Sequence, residues 1–566
     1  MADLVLGPLL RHVGANDATV WVETDAPCEV GVLGHSEPTF TVEGHHYALV
    51  CIDGLEPRTR IPYEVALDGE RRWPPPNHPF PPSVINTIDP ARPLRILYGS
   101  CRVVLPHRPP YTLEKDEDER GRGHDALFVL ARELVAGQGV GGEGPWPDLL
   151  LLLGDQVYAD EVSPQTLDHI RSTRGAERPP GEEVANYEEY THLYRESWSV
   201  PEIRWLLSTI PSAMVIDDHD MHDDWNISRA WVEDMRELEW WEERVLGGLA
   251  SYWVYQHLGN LSPAALERDG LYERVRGNAD AYAELRQFAH EDDRRHDGVR
   301  WCYSRDLGQV HLLVIDDRSG RLLGQDRRAI ADDREWEWIA EQASRECHHL
   351  VLGFSDPPLL APALHYVEAW NEAVCAGAWG PAAARVGERL RRALDLDHWA
   401  AFGDSFDRLA ALLADVGSRP NAPASITMLS GDVHHAYLAE VAFRRSAGVR
   451  SAVHQAVCSP FRNALDAHER ATVRAATAAP MVAFARGLAR AAAAPDPPIR
   501  WRFVEGPYFD NQAGTLVLDG REATAILDKT VARGPAGALE RVYERSLTTG
   551  SRAAPAAAPP PSAIRA

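Results

Sequence analysis

A chain of 566 residues, 45% hydrophobic and 25% charged, has material for a large core and roughly two to four domains. Its 84 acidic residues against 58 basic ones give a net charge of −26, which repels phosphate backbones and excludes long nucleic acid as a partner unless a local basic groove exists. No apolar run reaches the length of about eighteen residues needed for a span, so no membrane association is expected. Seven cysteines (28, 51, 101, 302, 347, 375 and 458) are odd in number and widely spaced, which argues against a disulfide framework. The N-terminal Met1-Ala2-Asp3-Leu4 opens no basic-then-apolar leader and no twin-arginine signal, and together these features predict a cytoplasmic protein.

In chain order, residues 1–92 alternate apolar and polar positions in short runs: Thr19–Thr24, Cys28–Leu33, Tyr47–Ile52 and Tyr63–Asp68, with turn residues between them. That spacing predicts a small N-terminal β-sandwich of fibronectin or immunoglobulin type, with the Pro-rich 73–82 as a rigid extended loop. The strand Leu94–Gly99 then runs into Ser100-Cys101-Arg102. Next, Leu149–Leu153, five consecutive leucines closed by Gly154, reads as a parallel strand covered on both faces. Residues 166–293 are mainly helical, with one long helix expected over Ile227–Tyr255 and its tryptophans lining core or pocket. Strands resume at 301–305, 310–316, 349–353 and 426–431 with helices between them, followed by helical patterning over 464–494 interrupted at Pro480. Short strands are expected at 501–504 and 515–518, and an Ala/Pro-rich disordered tail over 541–566. The alternation over 93–540 predicts an α/β catalytic domain.

Chemistry-bearing residues gather where apolar strands end: Gly99-Ser100-Cys101-Arg102, Gly154-Asp155-Gln156-Val157-Tyr158, Asp217-Asp218-His219-Asp220 with His222-Asp223-Asp224, Asp316-Asp317-Arg318, and Gly431-Asp432-Val433-His434-His435. In open α/β sheets the loops outside the carboxyl ends of strands form the ligand crevice. Any one such carboxylate is explained by a turn; the set predicts a metal site. Asp155 is the candidate bridging carboxylate, with Tyr158 a second oxygen ligand from the same loop. Asp218, Asp223 and Asp432 offer further hard oxygens, whereas Cys101 and His434 suit softer iron or zinc, so two unlike cations are expected. Two cations about 4 Å apart can clamp an in-line displacement at phosphorus. Arg102 and Arg318 are the expected bidentate holders of phosphoryl oxygens, and His219, flanked by acids, the expected proton donor to the leaving oxygen. Against each stands a plainer role: Cys101 as a small buried hydrophobe, Arg318 as a structural ion pair, His222 and His435 as supports, and Cys458 as packing.

At these positions the chain resembles the PhoD-like family of metallophosphatases, within the calcineurin-like phosphoesterase fold. Gly-Ser-Cys101, Gly-Asp155-x-x-Tyr158, Asp-Asp218-His219-Asp, Asp316-x-Arg318 and Ser-Gly-Asp432-x-His434 fall in the family's order, and Asp397-His398-Trp399 and Cys458-Ser459-Pro460 look like its landmarks. The resemblance implies an α/β/β/α sandwich and hydrolysis of phosphomonoesters or phosphodiesters by a metal-activated water or hydroxide at a dinuclear centre. It also implies Fe3+ held with Cys101, Asp155, Tyr158 and His434, and Ca2+ held with Asp155, Asp218 or Asp223, and Asp432; Mn, Mg or Zn are alternatives. The chain departs from many members in having His222-Asp223-Asp224 where they have Asn. Two rival readings remain. One is a non-catalytic, metal-stabilised binding scaffold. The other is a serine hydrolase hinted at by Gly353-Phe354-Ser355, which lacks the second Gly of a nucleophile elbow. The expected partner is a small phosphoester substrate, with oligomeric state left open.

Overall fold

The computed structural model describes residues 1–137, 146–295, 300–324, 327–534 and 536–548. The N-terminal residues form the expected sandwich of two antiparallel four-stranded sheets. One contains Leu4–Val13, Ala18–Thr24, His45–Ile52 and Phe40–Val42; the other contains His35–Pro38, Glu29–Val32, Val65–Leu67 and Glu70–Trp73. Alternate valines explain it: Val20, Val22, Val30, Val32, Val50 and Val65 point into one shared core with Trp73. The strand Leu4–Val13 was not among those expected from the sequence, because Gly7 and Pro8 interrupt its alternation. The Pro-rich loop docks on the next domain, where Phe80 stacks on Trp205 and the Trp205 indole donates to the Pro81 carbonyl at 2.9 Å.

Residues 94–546 are built on a pair of sheets. The first has the order Ser212–Val215, Leu149–Leu153, Leu94–Gly99, Gln512–Asp519, Glu522–Val531, Ala538–Ser546; its first three strands are parallel. The second runs Tyr303–Leu307, Val310–Val314, His349–Gly353, Ser425–Ser430, Ala452–Val457, Ala436–Ala442, Arg500–Tyr508. Strand periodicity divides the leucine run between two cores: Leu149, Leu151 and Leu153 meet Leu312, Val314 and Val351 of the other sheet, while Leu150 and Leu152 face helices. Helices cover the outer face of the second sheet too, through Trp336, Leu409 and Leu413. The result is the expected α/β/β/α arrangement, with the parallel strands of both sheets ending at one edge.

Two expectations need correction. The long helix over 227–255 is instead Arg229–Arg236 and Trp241–Ser251, followed by a π-helical turn Tyr252–His257 and a 3-10 turn Leu258–Asn260. Residues ten apart on a straight helix lie about 15 Å apart. Here the rings of Trp231 and Trp241 meet edge to face at 5.4 Å, which the chain achieves by turning at Glu237–Trp240. The tail is also shorter than expected: residues 541–546 belong to the edge strand Ala538–Ser546, whose Leu539 and Tyr543 are buried, and 549–566 lie outside the described residues. The helical break near Pro480 falls where expected, between Ala467–Ala476 and Ala479–Ala491, with Pro480 in the first turn of the second helix.

Candidate metal centre

The turns after Leu94–Gly99, Leu149–Leu153, Ser212–Val215, His349–Gly353 and Ser425–Ser430 converge at the shared carboxyl edge. Their approach depends on two glycines. Gly154 has φ +100°, and a Cβ there would sit 2.5 Å from the Cβ of Asp217. A Cβ at Gly431 would overlap the Ser100 hydroxyl and lie 2.9 Å from the Leu153 carbonyl. Four candidate ligands that are not glycine also hold left-handed backbone: Cys101 (φ +55°), Asp155 (+51°), Asp432 (+62°) and His434 (+49°). Such conformations cost of order 1 kcal/mol or more each and persist where surrounding structure over-determines them, as at sites that must aim a side chain.

Three donor groups result, each with its ligand atoms within 4.8 Å of one another: Cys101, Asp155 and His434; Asp155, Asp218 and His219; and Asp217, Asp356 and Asp432. Asp155 belongs to two of them. The Tyr158 hydroxyl donates to Asp155 Oδ2 at 3.4 Å, receives Asn463 Nδ2 at 3.4 Å, and its ring stacks on His219 at 4.6 Å. The Ser459 hydroxyl donates to Cys101 Sγ at 3.1 Å. Burial holds His434 down to about 4, leaving a neutral imidazole able to ligate. Burial, with Asp155 and Asp432 beside it, raises the Cys101 thiol well above its usual range; a bound cation would reverse that.

The donor set fits cations on its own chemistry. Asp155 is buried, and its Oδ1 has no hydrogen-bond partner among the described residues; the same is true of Asp217 Oδ2. Burial and its acidic neighbours push Asp155 well above the ordinary carboxylate range. Buried carboxylates this close need compensating positive charge. A thiolate, a neutral imidazole and a shared carboxylate on one side suit a softer ion, and the carboxylates of Asp155, Asp218, Asp217, Asp356 and Asp432 on the other suit a harder one.

The structure reassigns several expected residues. Arg318 is fully buried and hydrogen-bonds Asp217 at 3.0 Å, Asp397 at 2.6 Å and Asp356 at 2.7 Å. Arg102 is likewise buried, donating to Asp125 at 2.8 Å and to the Ser197 carbonyl and hydroxyl at 3.1 Å. Arg318 directs Nε, Nη1 and Nη2 to protein carboxylates and Arg102 its Nε and Nη1 to protein acceptors, so both guanidiniums are anchored in buried ion pairs. Asp223 lies at the rim with its side chain 63% exposed, 3.8 Å from His219 Nε2 and outside the three groups; Asp218 takes the inner position. His219 is flanked by acids: Nδ1 is 3.0 Å from both Asp160 oxygens, and although burial works against its charge, Asp160 and Asp218 raise it well above its usual range. His222 Nδ1 and His435 Nδ1 approach the carbonyls of Asp223 and Val433, and Cys458 sits in the inter-sheet core, the supporting and packing roles their positions predict.

Sequence reasoning missed Asp356 and His398 as members of the site. Asp356 follows the strand His349–Gly353 by the same exit rule as the others, next to the Ser355 that hints at a serine hydrolase. That serine is buried and donates to Asp317 at 2.8 Å, which removes the serine-hydrolase reading. His398 bridges Glu368 (2.8 Å) and Asp432 (3.0 Å) and keeps Asp432 below the ordinary carboxylate range despite its burial.

Comparison with known proteins bears on the family and the fold. The family described as PhoD-like phosphatase matches residues 140–495, and a domain of unknown function (DUF7800) matches residues 1–85. A solved structure described as "Structure of PhoD" superposes with a TM-score of 0.57 at 12% identity, covering 97% of this chain and 93% of the other, a likeness of fold. A maltogenic amylase structure from S. marinus, at 10% identity over 93% of this chain and 78% of its own, has a TM-score of 0.14 and carries no argument. No curated protein sequence matches the chain.

Proposed function

The chain belongs to the PhoD-like phosphatase family, and from that premise we propose that it hydrolyses small phosphomonoesters or phosphodiesters at a two-cation centre built on Asp155. The observation that carries the reading is the double membership of Asp155: it faces Cys101 and His434 on one side and Asp218 and His219 on the other, with one buried oxygen still unpartnered. Cys101, Asp155, Tyr158 and His434 would hold iron, and Asp155, Asp218 and the Asp217–Asp356–Asp432 group would hold the harder ion, Ca2+ by preference. Cations there supply Lewis acidity toward a phosphoryl oxygen and toward water.

The residues of the chain do the rest. Asp160 fixes the ring of His219 through Nδ1, leaving Nε2 on the side of the exposed Asp223 as a proton donor for the leaving oxygen. Tyr158 braces that ring from its face. Arg318 pairs with Asp217, Asp356 and Asp397, Arg321 pairs with Asp356 and Asp397, and His398 holds Asp432 at 3.0 Å. Among the described residues no helix is long and apolar enough to cross a membrane. The seven unpaired cysteines support a cytoplasmic location.

Purified protein, stripped with chelator and reconstituted with Fe, Ca, Mn or Zn, tests the reading against p-nitrophenyl phosphate and bis(p-nitrophenyl) phosphate. Metal-dependent release of nitrophenol from either supports it; a folded protein inactive on both with every metal rejects it in favour of a binding scaffold.

A further inference from the structure

Asp220 closes the Asp217-Asp218-His219-Asp220 run but lies in none of the donor groups. Its buried carboxylate turns the other way and gathers backbone N–H groups: Asp155 N (3.1 Å) and Asp217 N (3.0 Å) on Oδ2, Gln156 N and Val157 N (both 3.2 Å) on Oδ1. One side chain therefore ties together the two turns that carry Asp155 and Asp217–Asp218. A fifth donor, Gln256 Nε2, reaches Oδ1 at 3.2 Å and also donates to the Tyr194 hydroxyl at 2.9 Å.

Gln256 stands in the π-helical turn Tyr252–His257, a widened turn of the kind often found at functional sites. The N-terminal domain holds that turn. Arg11, fully buried on the strand Leu4–Val13, donates to the Tyr255 and Gln256 carbonyls, each at 2.7 Å, and to Asn260 Oδ1 at 3.1 Å. It has no carboxylate partner in the described structure; the carbonyls ending the helix and Asn260 take its Nη1 and Nη2, while its buried Nε has no hydrogen-bond partner among the described residues. Gly259 leaves room for the guanidinium, since a Cβ there would lie 2.6 Å from Arg11 Nε. Asn260 in turn pairs with both backbone groups of Met214, on the strand that leads into Asp217. Tyr255 donates to Glu23 at 3.0 Å and packs on Trp21, adding two more N-terminal contacts to the same turn.

We propose that the N-terminal domain is a positioning element of the cation centre, acting through Arg11, the π-helical turn and Gln256 on Asp220 and so on the turns of Asp155 and Asp217. The proposal rests on Asp155 being a ligand, as read above. It gives the domain a task inside the same molecule, at the opposite end of a hydrogen-bonded chain from the ligands.

The test uses the full chain, stripped of metal and titrated with Mn2+ by calorimetry, alongside amide hydrogen exchange at Asp155, Gln156 and Val157. Gln256→Leu and Arg11→Met should each weaken Mn2+ binding about tenfold or more and speed exchange at those amides. Their double variant should be no weaker than the worse single one, because the two act in series. Val20→Ala, which cavitates the N-terminal core away from this chain of contacts, should lower Tm yet leave Mn2+ affinity within about twofold. Gln256→Leu with wild-type affinity and exchange, or additive losses in the double variant, would overturn the proposal. If Arg11→Met does not fold, Arg11→Lys, which cannot span both carbonyls, takes its place. A wild-type chain that binds no Mn2+ would remove the cation reading itself; exchange at the three amides then decides the positioning chain alone, and unchanged rates in Gln256→Leu overturn it.

Discussion

Replacing Arg318 by Met separates a structural hub from a substrate clamp. The guanidinium hydrogen-bonds Asp217, Asp356 and Asp397 and lies 3.9 Å from Asp218, but Arg321 also pairs with Asp356 and Asp397, so the hydrogen-bonded carboxylate that loses its guanidinium is Asp217. Breaking a buried pair in this way costs about 3–5 kcal/mol. With an unfolding entropy of about 2 cal/mol/K per residue, a unit of this size loses roughly 3–4 °C in Tm if it melts cooperatively. Adding Asp217→Asn should recover part of that loss, because the remaining amide carries no buried charge. Calorimetric melts of the metal-stripped variants, in which no cation compensates Asp217, measure the shift, and KM of the metal-loaded variants on an aryl phosphate measures the alternative. An unchanged Tm with KM raised about tenfold would refute the hub and restore the clamp.

Asp155→Asn should abolish turnover and lower bound metal by elemental analysis. Trp399→Phe, which loses the indole donor to Asp317 and part of a buried ring, should cost about 1–3 kcal/mol of stability and little activity; equal losses of activity would remove Asp155 from its bridging place. Cys101→Ser should shift metal content away from iron, and unchanged iron would exclude the thiol as a ligand. His45 lies between Glu188 (2.7 Å) and Glu23 (3.1 Å); burial works against its charge, but the two glutamates raise its pKa to about 9 from 6.5. Its contribution is therefore complete below about pH 6.5 and lost as pH rises through about 9. Tm should fall more steeply over that window in the wild type than in His45→Gln, and parallel curves would dismiss the effect.

Much of the centre is legible in the sequence because one rule governs it: an apolar run that ends in Gly-Asp, Asp-Asp or Gly-x-Cys exits a parallel strand at the crevice. Cys101, Asp155, Asp218, Asp432 and His434 all obey it. The failures concern direction. Arg102 and Arg318 stand in the right turns, yet a turn does not disclose which carboxylates lie across from it, and Asp125 and Asp217 become neighbours only when the sheets are assembled. Asp223 is four residues beyond His219 and looks equivalent to Asp218 in one dimension, but the fold turns it to solvent. The helix over 227–255 fails for a related reason: its tryptophans have helical spacing, but their attraction for one another is better served by a bend.

The position of the strand Leu94–Gly99 has a consequence for how the protein is made. Its neighbour on one side is Leu149–Leu153, and on the other Gln512–Asp519, which arrives roughly 400 residues later. At about 5–20 residues per second, a nascent chain carries that strand with one edge unpaired for tens of seconds, long after the N-terminal sandwich is able to close. The first sheet, and with it the turns of Cys101 and Asp155, therefore reaches its final form only after Gln512–Asp519 has been made, so a polypeptide released before that strand exposes a sticky β edge rather than a weaker enzyme.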